Sequence, residues 1–240
     1  MTDRLRLILA LPGPLGQLVH QFLFDPAADA DPDRVATPGC LADGGGTLRA
    51  QALEAGLWGG GISPQEVDQC LAAFDWASPL HRLALVPRGV LEGLAWRLGL
   101  AVHREVLCRI VLRDELRAIQ SEGVESDHLS FVYRLVAETD ADRSQPTEID
   151  SVVVDARDEG WPSRIFSAGW ASIAGAARSM PALISARFQL KLPRQIEETA
   201  SAYSAQSLGN ALFETIRSQV VAAWKADFDS SLAALAASGR

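Results

Sequence analysis

Large apolar residues recur at every third or fourth position along much of the chain, a spacing that predicts helices rather than strands. Leu15, Leu18, Val19, Phe22 and Leu23 line one face of a helix from about Pro14 to Phe24, which Asp25-Pro26 stops. Thr47 to Trp58 reads as a short helix between two triple-glycine runs, Gly44-Gly45-Gly46 and Gly59-Gly60-Gly61. Ser63-Pro64-Gln65-Glu66 marks the next start, with a serine cap, a proline at the first helical position and a glutamate three residues after the cap. That helix is expected to reach about Asp75. Ser78-Pro79 opens another, through Leu85. After Pro87, the residues Val90, Leu91, Leu94, Leu98 and Val102 form a clean apolar stripe, which Gly93 and Gly99 weaken without breaking.

Val106, Leu107, Ile110 and Val111 continue the helical spacing, Gly123 to Asp127 is a turn, and Leu129, Val132, Tyr133 and Val136 mark one more helix. Val152-Val153-Val154 is the one strand-like run, and three residues without a partner are more simply the entry to a helix holding Trp161 and Trp170. After Met180-Pro181 a helix with Leu183, Ile184 and Phe188 runs to Leu192-Pro193. The last element is expected to be one long helix from about Ser207 to Leu235, built on Leu208, Leu212, Ile216, Val220 and Trp224. The fold class is therefore all-α, an irregular multi-helix globular protein with mobile acidic loops.

Two segments interrupt the periodicity. Asp25 to Gly46 holds prolines, glycines and five aspartates with few large apolar groups, too little burial to offset the entropy of ordering. It reads as a mobile loop, and shortening Ala27 to Gly39 is expected to change stability little, because loop-closure entropy varies slowly with length. Thr139 to Asp150 reads as a second such loop. The expected organisation is residues 1–80 as an N-terminal helical region with the acidic loop at 25–46, residues 81–193 as a helical core, and residues 194–240 as the long C-terminal helix.

At 240 residues the chain is long enough to bury a core, and a net charge of −8 has the wrong sign for holding a phosphate backbone, so no nucleic acid is expected. Cys40, Cys70 and Cys108 are odd in number and far apart, which suits a reducing cytoplasm and neither a disulfide framework nor a zinc knuckle. The apolar run Leu7 to Leu11 ends at Pro12, well short of a signal-peptide core. Arg88, Glu92 and Arg97 would place charge throughout the bilayer if Leu83 to Val102 crossed a membrane. No membrane insertion is expected.

Candidate chemistry is sparse. His20, His81, His103 and His128 are isolated and fit helix-face or capping roles better than a metal site. Asp29-x-Asp31-x-Asp33 resembles the start of a calcium loop, but Arg34 and Cys40 stand where a glycine and a bidentate glutamate are needed, which leaves a solvated acidic loop. Gly44-Gly45-Gly46-Thr47 lacks the lysine of a phosphate loop. Gly169-Trp170-Ala171-Ser172 has the wrong spacing for a nucleophile elbow, and adjacent carboxylates such as Asp114-Glu115, Asp158-Glu159 and Glu197-Glu198 point in different directions. No catalytic, cofactor-binding or metal-binding residue is assigned, and no cofactor. Of six tryptophans, Trp96 stands apart, off the Leu91, Leu94, Leu98 stripe and toward the edge of the apolar face.

The stretch Leu83-Ala84-Leu85-Val86-Pro87-Arg88-Gly89-Val90-Leu91-Glu92-Gly93-Leu94-Ala95-Trp96-Arg97-Leu98-Gly99-Leu100-Ala101-Val102-His103 resembles the SctK (YscK, HrpD) family of bacterial type III secretion. The pattern there is L-x-P followed by L-x-x-L-A-x-R-L-G-L-x-x-H. Gly160-Trp161-Pro162 with Trp170, and Phe188-Gln189-Leu190-Lys191-Leu192-Pro193, resemble that family's closing helix and its L-K-L-P end. The likeness covers about Leu83 to Pro193 and lapses in the first eighty residues and in the loop from Thr139. It implies a helical, non-enzymatic cytosolic component of the sorting platform beneath the injectisome, peripheral to the inner membrane. Its implied partners are the inner-membrane ring protein (SctD-like) and the pod protein (SctQ-like), with the stator and ATPase reached indirectly.

The residues by themselves also leave room for a small helical enzyme or ligand-binding protein whose site is assembled from distant positions. A secretion chaperone or transcription regulator is disfavoured by the missing dimerising strand pattern and basic recognition helix. From Arg82 to Arg117 there are seven arginines against four acids, a basic stretch on an acidic protein that could steer an acidic partner. Trp96, Arg97 and Arg104 are the partner-binding candidates.

Overall fold

A computed structural model of the chain describes residues 14–35, 64–104, 160–194 and 210–238, with single positions at Leu107, Ser130, Phe131, Arg134 and Ile196. The expected helix at Thr47 to Trp58, the turn at Gly123 to Asp127, the loop at Thr139 to Asp150 and the run Val152 to Val154 lie outside the described residues. In chain order the elements are α1 (Pro14–Phe24), a 3-10 turn (Pro26–Asp29), α2 (Pro32–Val35), α3 (Pro64–Ala73), α4 (Pro79–Leu83) and α5 (Arg88–Val102). There follow α6 (Trp161–Ala177), α7 (Ala182–Gln189), α8 (Asn210–Trp224) and α9 (Phe228–Ser238). The fold is all-α, with no strand among the described residues.

The apolar stripe predicted after Pro87 is the centre of the molecule. Leu91, Leu94 and Leu98 are buried as their spacing requires, and so are Ala95, Gly99, Leu100 and Ala101. A single stripe would bury one face, but α5 packs against both α6 and α8, which accounts for the wider burial. Gly99 and Gly169 set the approach of α5 to α6. A Cβ on Gly99 would lie 1.8 Å from the carbonyl oxygen of Ile165, and one on Gly169 would lie 1.7 Å from that of Ala95. The two backbones therefore touch reciprocally, each glycine against the other helix, a separation that any larger side chain forbids. Gly99, which lowers helix propensity, is thus required by packing.

The other elements close around this pair. Ser78 caps α4, its Oγ accepting from the His81 amide at 3.4 Å, as the Ser78-Pro79 signal predicts. Val19, Phe22 and Leu23 of α1, Cys70, Leu71 and Phe74 near α3, Ile184 and Phe188 of α7, and Ile216 of α8 join α5 and α6 in one core. Residues from all three expected regions thus share it.

Two expectations are overturned. The long C-terminal helix is two helices, α8 and α9, separated at Lys225, Ala226 and Asp227. Asp227, Asp229, Ser230 and Ser231 are poor interior helix formers that favour first-turn positions, and the Ser231 amide starts a fresh helical register on the Asp227 carbonyl at 2.8 Å. The break also seats Phe228 in the core against Trp224, with ring centroids 5.2 Å apart. The second correction concerns the acidic loop, of which residues 25–35 are described. They form the 3-10 turn and α2, and Asp31, only 3% exposed, is buried rather than solvated.

Candidate functional site

The α5 N-terminus begins with a local deficit. Pro87 occupies the cap position and has no side-chain acceptor, so the amide of Arg88 finds no cap on its own segment. The Asp29 carboxylate supplies one from 59 residues away, its two oxygens accepting from the Arg88 N–H at 2.9 and 3.1 Å. A negative charge placed there also complements the helix dipole. Lys191 completes the arrangement, its Nζ 2.8 Å from Asp29 Oδ2 and donating to the Val86 carbonyl at 2.9 Å. The L-x-P and L-K-L-P segments, more than a hundred residues apart, therefore meet at one buried ammonium.

Asp31 adds a second bridge between the same segments. Its Oδ2 is 2.7 Å from an Arg88 guanidinium nitrogen, its own amide donates to the Leu190 carbonyl at 2.7 Å, and its Oδ1 accepts from the Asp33 amide at 2.9 Å. Arg88 also pairs with Glu92 at 3.3 Å, one turn along α5. Burial pushes the Lys191 ammonium below its ordinary pKa, and the Asp29 carboxylate draws it partly back. Arg187 does for the end of α1 what Asp29 does for the start of α5. Its buried guanidinium donates to the carbonyls of Phe22 and Leu23 and lies over the Phe22 ring, 5.7 Å from the centroid. Between Phe22, Asp29, Leu85, Arg187 and Lys191 is a cavity of about 10 Å³, room for one water and far below the volume of a small-molecule site.

A separate network holds the C-terminal helices. Arg82 donates to the carbonyls of Trp76, Ala77 and Asp229 at 2.8, 3.2 and 3.0 Å, and its guanidinium lies 3.5 Å from the Asp229 carboxylate. Arg217 pairs with Glu214 at 2.9 Å and with Asp229 at 3.2 Å. The basic stretch from Arg82 is therefore not one solvated face: Arg82 is buried and Arg88 is paired within the fold, while Arg109, Arg113 and Arg117 lie outside the described residues.

The partner-binding candidates fall on and just beyond α5. Trp96 is half-buried against Phe166, with centroids 5.3 Å apart; Arg97 lies over the Phe131 ring at 5.4 Å; Arg104 is half-buried just past the helix end. Ser172 is fully buried and its Oγ donates to the Ala168 carbonyl at 2.9 Å, the back-bond of an ordinary helix residue. His81 accepts from the Asp75 amide through Nδ1 at 2.8 Å, and His103 caps the end of α5 with its ring edge-on to Trp161. His20 stacks beside Phe24. No group of metal-ligating residues occurs among the described residues. Cys70 is buried, and that burial raises its thiol pKa.

Sequence reasoning missed Asp29, Asp31, Arg187, Lys191, Arg82 and Arg217 as a set. One signal was present: Lys191 is one of two lysines in the chain and stands between Leu190 and Leu192, an apolar setting that a charge occupies only with a partner. Nothing local names that partner.

These contacts define a helical packing unit whose buried charges join its elements to one another. The sequence model of the family described as YOP proteins translocation protein K (YscK) matches residues 65–223, and the chain belongs to that family of type III secretion proteins. No curated protein and no solved structure matches the chain. The matched region runs from the first turn of α3 almost to the end of α8, so α1, the acidic segment and α9 flank it. No helix among the described residues is long and apolar enough to cross a membrane.

Proposed function

We propose that the chain is a non-enzymatic cytosolic adaptor of a type III secretion sorting platform. In this reading it links an SctD-like ring protein to an SctQ-like pod protein, and through the latter the stator and ATPase. The observation that carries the proposal is the family match over residues 65–223, which contains both motif segments and the α5–α6 crossing. The geometry supports it: a backbone-to-backbone helix crossing and charge clamps between distant segments make a stiff body, as a linker between two assemblies needs. The edge of α5 marked by Trp96, Arg97 and Arg104 is the proposed docking face, and the adaptor requires no cofactor.

Affinity purification of the tagged chain from a host carrying a secretion cluster tests the proposal. Recovery of ring and pod components is the expected result, and recovery of neither overturns it. The docking face is tested by association rates of wild type and R97E/R104E at two salt concentrations. A slower, less salt-sensitive double mutant is expected, and equal rates in all four conditions remove this face from the interface.

A further inference from the structure

Among the described residues, the family-matched region carries a charge that it does not neutralise by itself. Lys191 is buried to 5% exposure, and among the described residues the carboxylate paired with it is Asp29, which precedes the matched region. Asp31, in the same segment, pairs with Arg88, whose Nε is buried without a hydrogen-bond partner. With residues 25–35 lifted away, the Lys191 ammonium, the Arg88 guanidinium and the uncapped Arg88 amide would face solvent together, and among the described residues the Val86 carbonyl and Glu92 would be the partners left to them. Two cations beside an open helix N-terminus attract carboxylates, and covering them again with a segment that lacks acidic groups would bury unpaired charge at a high cost.

We propose that Lys191, Arg88 and the first amide of α5 form a receptor for an acidic segment of a partner protein, occupied in this structure by the chain's own Asp29-Ala30-Asp31. The occupant shows what fits. Two carboxylates two residues apart, at the end of a tight turn, reach the Lys191 ammonium with the Arg88 amide and the Arg88 guanidinium respectively, and the Asp31 amide donates to the Leu190 carbonyl, contacts that a short acidic turn of another protein would reproduce. Tethering gives the internal segment a high effective concentration, so a partner segment enters when the internal one is weakened or displaced. The inference rests on the adaptor reading for its biological use and supplies the chemistry of one partner contact.

The test uses the full-length chain and a labelled peptide of residues 25–35. The D29N/D31N variant is expected to bind this peptide at least tenfold more tightly than wild type does. A peptide carrying asparagine at both positions is expected not to bind, and adding K191M is expected to abolish binding of the acidic peptide. Absence of binding to the folded variant, or equal binding of acidic and neutral peptides, overturns the proposal. If D29N/D31N does not fold, hydrogen exchange of the wild type decides. Amides of residues 25–35 opening together, before those of α5 and α6, support an exchangeable segment; exchange only with α5 and α6 makes it a fixed part of the core and ends the proposal. The assay contains no secretion component, so its failure is distinct from a failure to recover ring and pod proteins.

Discussion

Lys191 stands where three stretches of the chain converge, and its replacement separates attraction from burial. Lys191→Met removes the hydrogen bond to Val86 and leaves the largely buried Asp29 without its cation, so a loss of roughly 2–4 kcal/mol is expected in chemical denaturation. Pairing it with Asp29→Asn is expected to cost clearly less than the sum of the single changes, because the second substitution removes the stranded charge. Additive losses would mean that the two groups do not interact. His103 gives a pH dependence of defined sign. Burial, reinforced by the Arg164 guanidinium, holds its imidazole below the ordinary value of 6.5. The unfolded chain then takes up the proton first, so stability is full above about pH 6.5 and is lost as pH falls through the folded value. His103→Gln is expected to flatten that decline, measured as the denaturation midpoint at pH 7.5 and pH 5; an unchanged slope would assign the decline to other groups.

Among the elements, the α5–α6 crossing makes the sharpest contrast. Gly99→Ala and Gly169→Ala each place a methyl group inside the van der Waals radius of a backbone oxygen, so the helices must separate, and each is expected to destabilise by about 2 kcal/mol or more. Gly93 lies on the same α5, and a methyl group there would have nothing within 4 Å, so Gly93→Ala is expected to stabilise by about 0.5–1 kcal/mol through helix propensity. Thermal melts of the three variants check both signs, and a stabilising Gly99→Ala would refute the close crossing. Helical spacing told which face of α5 holds large apolar residues. It could not tell that two glycines, unfavourable in helices taken singly, stand opposite backbone carbonyls.

Across the molecule, stability depends on parts that lie beyond the family-matched region. Removing α9 by truncation after Trp224 would expose the sites of Phe228 and Leu232 and take Asp229 from both Arg82 and Arg217. Lost burial alone amounts to about 3 kcal/mol or more, and the truncated chain is expected to melt roughly 6–12 °C lower. An unchanged melting temperature would show that α9 is peripheral. The same reasoning reverses the expectation for the acidic segment: deleting residues 27–39 removes the cap on α5 and both carboxylates of the clamp, and a loop-closure argument does not describe a segment that is docked.

Helix positions were legible because periodicity and caps are local: the stripe after Pro87, the Ser78-Pro79 start and the α1 face depend on residues a few positions apart. The family was legible for a related reason, since its motifs are short runs of packing residues. The clamp was not, because a carboxylate in a stretch rich in aspartate and proline looks the same whether water or a buried lysine faces it. Asp29 and Asp31 find Arg88, Lys191 and the Leu190 carbonyl from 57 to more than 150 residues away, and composition carries no term for such distances. Their burial is favourable only once α5 and the end of α7 have been brought together, so the charge pairs follow from packing and not from local pattern.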